Sequence, residues 1–367
     1  MEARLGIFSF NLIESRHRIP AGDFPMTVAF RTLAVAAVLA MGLVSHAAAD
    51  AVSDFYKGKT LTLVVGNEVG TGFDFYGRTI ARHLGRHVSG QPNVVVQNMV
   101  GASGIAATNW LYNVAPRDGS VLATFVHTVP LEPLMGNSAA KYDSAKLTWI
   151  GSMASNVAIC GVSKSSGIER FEDILTRQYP FGATSTTGAI AKDTLALRYL
   201  FDAKIKLIAG YQGTGAIKLA MQRKEVAGVC GLSMSTIAAA WRDDFDSGAL
   251  KPILQLSGGA HPDLKGIPHI NDMARSEDDR MIIGLIYGAQ ALGRSYASAP
   301  AIPVDRRDAL RAAFMATMKD PQFLNETAKS HIDISPITGE QAEALVARLF
   351  ASPPDIVERA KQAVRPD

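Results

Sequence analysis

Leu-Thr-Leu-Val-Val-Gly-Asn-Glu-Val-Gly-Thr-Gly-Phe-Asp-Phe-Tyr-Gly-Arg, residues 61–78, changes its hydrophobic period partway along. Its first five residues form a short apolar, largely β-branched run, whereas Phe73, Tyr76, Ile80 and Leu84 recur at helical spacing. The stretch therefore predicts a strand, a glycine loop over 66–72 and a helix. Unpaired backbone N–H groups and the positive end of the helix dipole face outward from such a loop, and together they suit an anion.

Outward from this unit the pattern repeats. Residues 93–97 are a second β-branched run, 98–104 a second glycine-containing loop, 105–114 a helical stretch closed by the turn residues Pro116, Asp118 and Gly119, and 121–126 a third strand. This βαβαβ order predicts an α/β domain with a largely parallel sheet, and ligands of such sheets bind outside the carboxyl ends of the strands. After an extended reading over 149–162 the pattern restarts. A helix over 168–177 precedes a strand over 179–183, the loop Thr184, Ser185, Thr186, Thr187 and Gly188, and a helix over 189–201. A strand over 205–209 leads to Tyr211, Gln212, Gly213, Thr214 and Gly215, then a helix over 216–223 and a strand over 226–230. A helix over 233–245 and a strand over 251–256 follow, and 281–292 reads only as a mixed apolar stretch. Leu310, Phe314 and Met318 then form one helical stripe after Pro303, and Thr338 with Gln341 predicts a capping box.

The expected fold is therefore α/β and two-lobed, each lobe a largely parallel sheet flanked by helices, with crossovers near residues 155 and 257. Residues 50–155 plus 258–367 are assigned to lobe 1 and 156–257 to lobe 2, with 1–49 an N-terminal extension and signal peptide. Arg31, the apolar run 33–44 and Ala47-Ala48-Ala49 have the order of a cleaved secretory signal, with Met26 or Met1 as its start. That run is short for a membrane span. Export permits a disulfide between Cys160 and Cys230, the two cysteines of the chain; their spacing leaves open whether they pair or are simply buried. A net charge of +3 with scattered basic residues excludes a nucleic-acid footprint. No Cys/His group has zinc spacing.

Several motifs in one order resemble the tripartite tricarboxylate transporter receptors, the TctC or Bug-type periplasmic solute-binding proteins. Gly70, Gly72, Asp74 and Arg78 match the opening motif of that family. Asn98 with Gly101-Ala102-Ser103-Gly104, Ala115-Pro116-Arg117-Asp118-Gly119, Gly210-Tyr211-Gln212-Gly213-Thr214-Gly215 and the proline-marked loop around His261, Pro262 and Pro268 follow in the family's order, over about residues 54–364. The resemblance implies a type II periplasmic-binding-protein-like fold joined by crossover strands. It implies a monomeric, non-enzymatic periplasmic receptor that closes on a small organic carboxylate, needs no cofactor or metal, and delivers the solute to one large and one small integral membrane subunit. The ligand-binding residues it implies are Val69, Gly70, Thr71, Gly72 and Phe73 in the first loop and Thr184, Ser185, Thr186, Thr187, Gly188, Tyr211, Gln212, Gly213, Thr214 and Gly215 in the second lobe, with Ser103 as a further donor. Hydroxyls and backbone N–H groups at helix starts suit a carboxylate. Glu68 and Gln212 depart from the family pattern and weaken the case for a highly charged tricarboxylate; a monocarboxylate or a carboxylate with an apolar body fits at least as well.

Simpler roles compete at several positions. Asp74 reads first as a helix cap and Arg78 as its i+4 partner. Tyr211 either stacks on the ligand or closes the hinge face, and His127, alone at a strand end, reads as structural. An exported hydrolase or dehydrogenase is the alternative class, but the glycines after residue 70 miss the dinucleotide spacing and no nucleophile elbow is present. A ligand-sensing receptor for a membrane signalling protein is the other.

Overall fold

The computed structural model describes residues 51–186, 188–257, 261–330 and 332–366; the expected signal segment lies outside them. In chain order the strands are β1 (Thr60–Val65), β2 (Asn93–Asn98), β3 (Val121–Thr124), β4 (Thr148–Ser152), β5 (Ala158–Ser163), β6 (Tyr179–Ala183), β7 (Ile205–Ala209), β8 (Gly228–Ser233), β9 (Leu250–Leu256), β10 (Ser295–Ser298) and β11 (Ile337–Thr338). They form two sheets, ordered β11-β4-β10-β3-β1-β2 and β7-β6-β8-β5-β9. Strands β1, β2 and β3 are parallel, as are β6, β7 and β8. One antiparallel strand is inserted beside the third strand of each set, β10 beside β3 and β5 beside β8.

That insertion explains the two lobes. Strand β5 enters the second sheet directly from β4 of the first, and β10 enters the first after the chain has left β9 of the second. The chain thus crosses twice, through 153–157 and again after 256. The extended reading over 149–162 divides at the first crossing into β4 and β5, because each half pairs in a different sheet.

Burial follows from position in each sheet. Leu61, Leu63, Val64 and Val65 of β1 are at most 1% exposed, as a central parallel strand covered on both faces requires. Edge strand β2 keeps no fully buried residue. Leu61, Leu63, Ile80, Tyr296 and Phe314 share one core of the first lobe. Phe171, Phe181, Leu197 and Phe201 anchor the second, and Ile282, Leu285, Ile356 and Val357 join them. The helices Glu277–Gly288 and Pro354–Ala363, which follow the second crossing in sequence, thus pack on the second sheet.

Cys160 and Cys230 stand opposite one another in the β5–β8 ladder and are bonded. The expected helix over 168–177 contracts to Asp173–Thr176, because the Asp173 carboxylate accepts the backbone N–H groups of Glu169 (2.8 Å) and Arg170 (3.1 Å) and makes the preceding residues a turn. No helix among the described residues is long and apolar enough to cross a membrane.

Candidate functional site

The first loop is fastened from within. Thr71 caps the helix Gly72–Leu84, its hydroxyl accepting from the Asp74 N–H (3.4 Å) and donating to the Glu68 carbonyl (2.7 Å). Asp74 accepts from the Gly70 N–H (2.9 Å), Arg78 Nε (3.0 Å) and Asn98 Nδ2 (2.9 Å), and Arg78 also donates to Asn98 Oδ1 (2.9 Å). Burial alone would raise the Asp74 pKa, but these hydrogen bonds outweigh it and hold the carboxyl at about 2. Asp74, Arg78 and Asn98 are therefore the clasp that ties the β1 loop to the end of β2. Val69 projects outward, 70% exposed, and Gly70 takes a left-handed conformation (φ +82°).

Phe73 leads to the charge that matters. Its ring lies 4.4 Å from the Arg294 guanidinium carbon, and the Tyr76 ring lies 4.7 Å from it. Arg294 Nη1 donates to its own neighbour, the Gly293 carbonyl (2.6 Å), while Nε is buried without a partner. No ion pair holds this guanidinium among the described residues. Burial lowers its pKa, and the nearby Tyr76, Tyr296 and Asp333 oppose that effect only in part. A largely enclosed cation without a counter-ion is costly unless an anion arrives.

Two cavities flank the first crossover. One, of about 390 Å³, is lined by Tyr76, Arg294, Asp333 and Ser335 from the first lobe's side, by Met234 and Ser235 from the end of β8, and by Ser155 to Val157 of the crossover. The other, of about 420 Å³, has His127 and Thr128 after β3, Lys192 and Asp193 in the first turns of the helix Ala189–Phe201, Gly231, Leu285 and Gln290 on its walls. Asn156 lines both. Burial, then the positive charges of Arg294 and Lys192, push His127 down to about 4, so this imidazole is neutral and feels a cation from each lobe.

The second-lobe loops are arranged around helix starts. Ser185 Oγ accepts from the Gly188 N–H (2.9 Å), Thr184 is half-buried and Thr186 exposed; Thr187 lies outside the described residues. Gly188 and Gly213 cap their helices without a side-chain hydrogen bond, and among the described residues no side chain claims the first-turn N–H groups of either helix. The Tyr211 ring packs over Gly182 beside Ile217 in the lobe's own core. Gln212, Gly213 and Gly215 are exposed, and Thr214 opens the helix Thr214–Gln222. Ser103 falls within a single 3-10 turn, Ala102–Gly104.

Among the described residues, none of those expected from the loops lines either cavity. Lys192 and Asp193, Asn156, Arg294 and Gln290 do, and reading the sequence missed them. Adjacent charges at 192 and 193 inside an otherwise apolar helix start were a usable signal; Arg294, after an unremarkable Gly293, had none. His127, read as structural, lines the larger cavity.

Comparison with known proteins places the architecture. No family model matches the chain, and no curated protein matches it in sequence. Among solved structures, a TctC solute-binding protein from Polaromonas aligns with a TM-score of 0.66 at 17% identity, over 83% of this chain and 99% of that one. The periplasmic binding protein BugD aligns with a TM-score of 0.56 at 17% identity, over 84% and 98%. MatC from Rhodopseudomonas palustris, described with bound malate, aligns with a TM-score of 0.54 at 16% identity, over 84% and 99%. The two sheets with one inserted antiparallel strand each, and the crossovers between them, give this chain the fold of the TctC and Bug-type periplasmic solute-binding proteins.

Proposed function

We propose that the chain is a receptor of the TctC/Bug family that captures a small organic carboxylate between its lobes in the periplasm and hands it to a transporter of one large and one small membrane subunit. Arg294 carries this reading: an enclosed guanidinium without an ion pair, set under the first glycine loop and facing an interlobe cavity. The Phe73 and Tyr76 rings exclude water on one side of it and hold it in place. Lobe 1 comprises residues 50–155 and 258–367 and lobe 2 comprises 156–257, with the lobe 1 helices Glu277–Gly288 and Pro354–Ala363 reaching over to lie on the second sheet as a strap. The segment 26–49 directs export.

On closure, the open helix starts after Gly188 and Gly213 and the backbone of residues 69–73 complete the carboxylate's hydrogen bonds, and the empty and closed forms differ by those contacts. The protein is a monomeric binder that carries out no reaction. Two solved neighbours are described with malate and with adipate, and the small-carboxylate class is transferred from them and from Arg294 together.

A thermal-shift screen of organic acids identifies carboxylates that stabilise the folded chain, and calorimetry on the best of them tests the site. Arg294→Met is expected to weaken that carboxylate's binding about tenfold or more, as for a lost hydrogen bond to a charged group. Full affinity in a folded Arg294→Met protein would remove the site assignment.

A further inference from the structure

The larger cavity contains a second unmatched group, an acidic one. Asp193 is 8% exposed, and no hydrogen bond or ion pair holds its carboxylate among the described residues. The carboxylate rests against the backbone of β8, where a Cβ added to Gly231 would stand 2.6 Å from Asp193 Oδ2. The Tyr287 hydroxyl, 1% exposed and also without a partner, lies within electrostatic reach of it. Two buried polar groups within electrostatic reach of one another are thus left unmatched, which folded proteins tolerate where a ligand supplies the missing partner. The rest of the wall combines the apolar Leu131, Leu285 and Ile286 with the charged Glu132, Lys192, Lys361 and Arg365.

An ionised carboxylate only accepts hydrogen bonds, and a phenolic oxygen can accept one as well. A group that donates several hydrogen bonds and carries positive charge satisfies both, and favours the ionised carboxylate over the protonated form that burial alone favours. We propose that Asp193, seconded by Tyr287, receives the ammonium group of the solute, so that the ligand is an amino carboxylate with an apolar body. Asn156 lines both cavities, which places the ammonium subsite beside the carboxylate subsite at Arg294. This inference rests on the carboxylate-receptor reading above.

The test is calorimetric titration of β-alanine, γ-aminobutyrate and ε-aminocaproate against propionate, butyrate and caproate, on the wild-type chain and on Asp193→Asn and Tyr287→Phe. At the chain length that fits, the amino acid is expected to bind about tenfold or more tightly than the alkanoate. That ratio is expected to fall in Asp193→Asn, and in Tyr287→Phe should the first variant not fold. Alkanoates binding as tightly as amino acids at every length would overturn the ammonium subsite and leave the carboxylate receptor standing. A preference unchanged in both variants also overturns it. Absence of binding by either series overturns the ammonium subsite, and together with no shift from any acid in the thermal screen it overturns the carboxylate-receptor reading as well.

Discussion

Asp193 and His127 face one cavity and titrate in opposite senses. Burial, only partly offset by Lys192, raises Asp193 from 3.8 to about 7, whereas burial with Arg294 and Lys192 lowers His127 from 6.5 to about 4. Across that interval the folded chain keeps a proton on Asp193 that the unfolded chain has released. Its contribution to stability is therefore complete below pH 3.8 and lost as pH rises through about 7. The contribution of His127 runs the other way, present above pH 6.5 and lost as pH falls toward about 4. The two largely cancel in the wild-type chain. Asp193→Asn removes one of them, so the variant is expected to gain on the wild type by on the order of 2–4 kcal/mol between acidic and mildly alkaline pH. Urea midpoints at pH values of about 4.5 and 7.5 measure this, since the expected change lies between the two pKa values. A constant difference would mean that Asp193 ionises at an ordinary value.

Among elements, the second sheet depends most on a link that spacing left open. Strands β5 and β8 come from distant parts of the chain, and their antiparallel register sets Cys160 directly against Cys230, 70 residues away. Closing so long a loop restricts the unfolded chain, so the double variant Cys160→Ala/Cys230→Ala is expected to lose about 2–4 kcal/mol of unfolding free energy. Chemical unfolding with and without reductant checks it; a wild-type chain indifferent to reductant would argue against the bridge. Other elements were legible because their signals are local. The Thr338–Gln341 capping box forms as its spacing predicts, and the helix Ala189–Phe201 has the expected bounds. Strand β10 was not foreseen, since Ser295–Ser298 is too short and too weakly β-branched to signal a strand and exists because β3 and β4 offer it hydrogen bonds.

For the whole molecule, the crossover is where lobe motion and stability meet. Two backbone hydrogen bonds tie Arg294 to the start of the crossover, with Met153 N–H donating to the Arg294 carbonyl (2.9 Å) and Arg294 N–H to the Ala154 carbonyl (3.0 Å). The Asn156 N–H donates to the Gln290 carbonyl (2.7 Å). Gln290, oriented so that both ends of its amide are satisfied, donates to the Leu256 (2.7 Å) and Asn156 (2.9 Å) carbonyls and so joins the two crossovers. Gly293 permits this approach: a Cβ there would press on the Asn156 nitrogen and stand 2.6 Å from the Ser155 carbonyl carbon and 2.8 Å from the Ala154 oxygen. Gly293→Ala is therefore expected to cost about 1–3 kcal/mol by overpacking, read from the urea midpoint, and an unchanged midpoint would show that the crossover yields freely. Apolar period and turn chemistry, being local, determined from the sequence alone that strands and helices alternate in two successive α/β units. They also marked the glycine loop at 66–72 as the start of a helix. Only the tertiary structure decided which charges meet at the crossover. Arg294 reaches the first loop from more than 200 residues away, and Lys192 and Asp193 come from the other lobe. Such proximity depends on how two sheets exchange a strand, and the periodicity of a single stretch carries no record of that exchange.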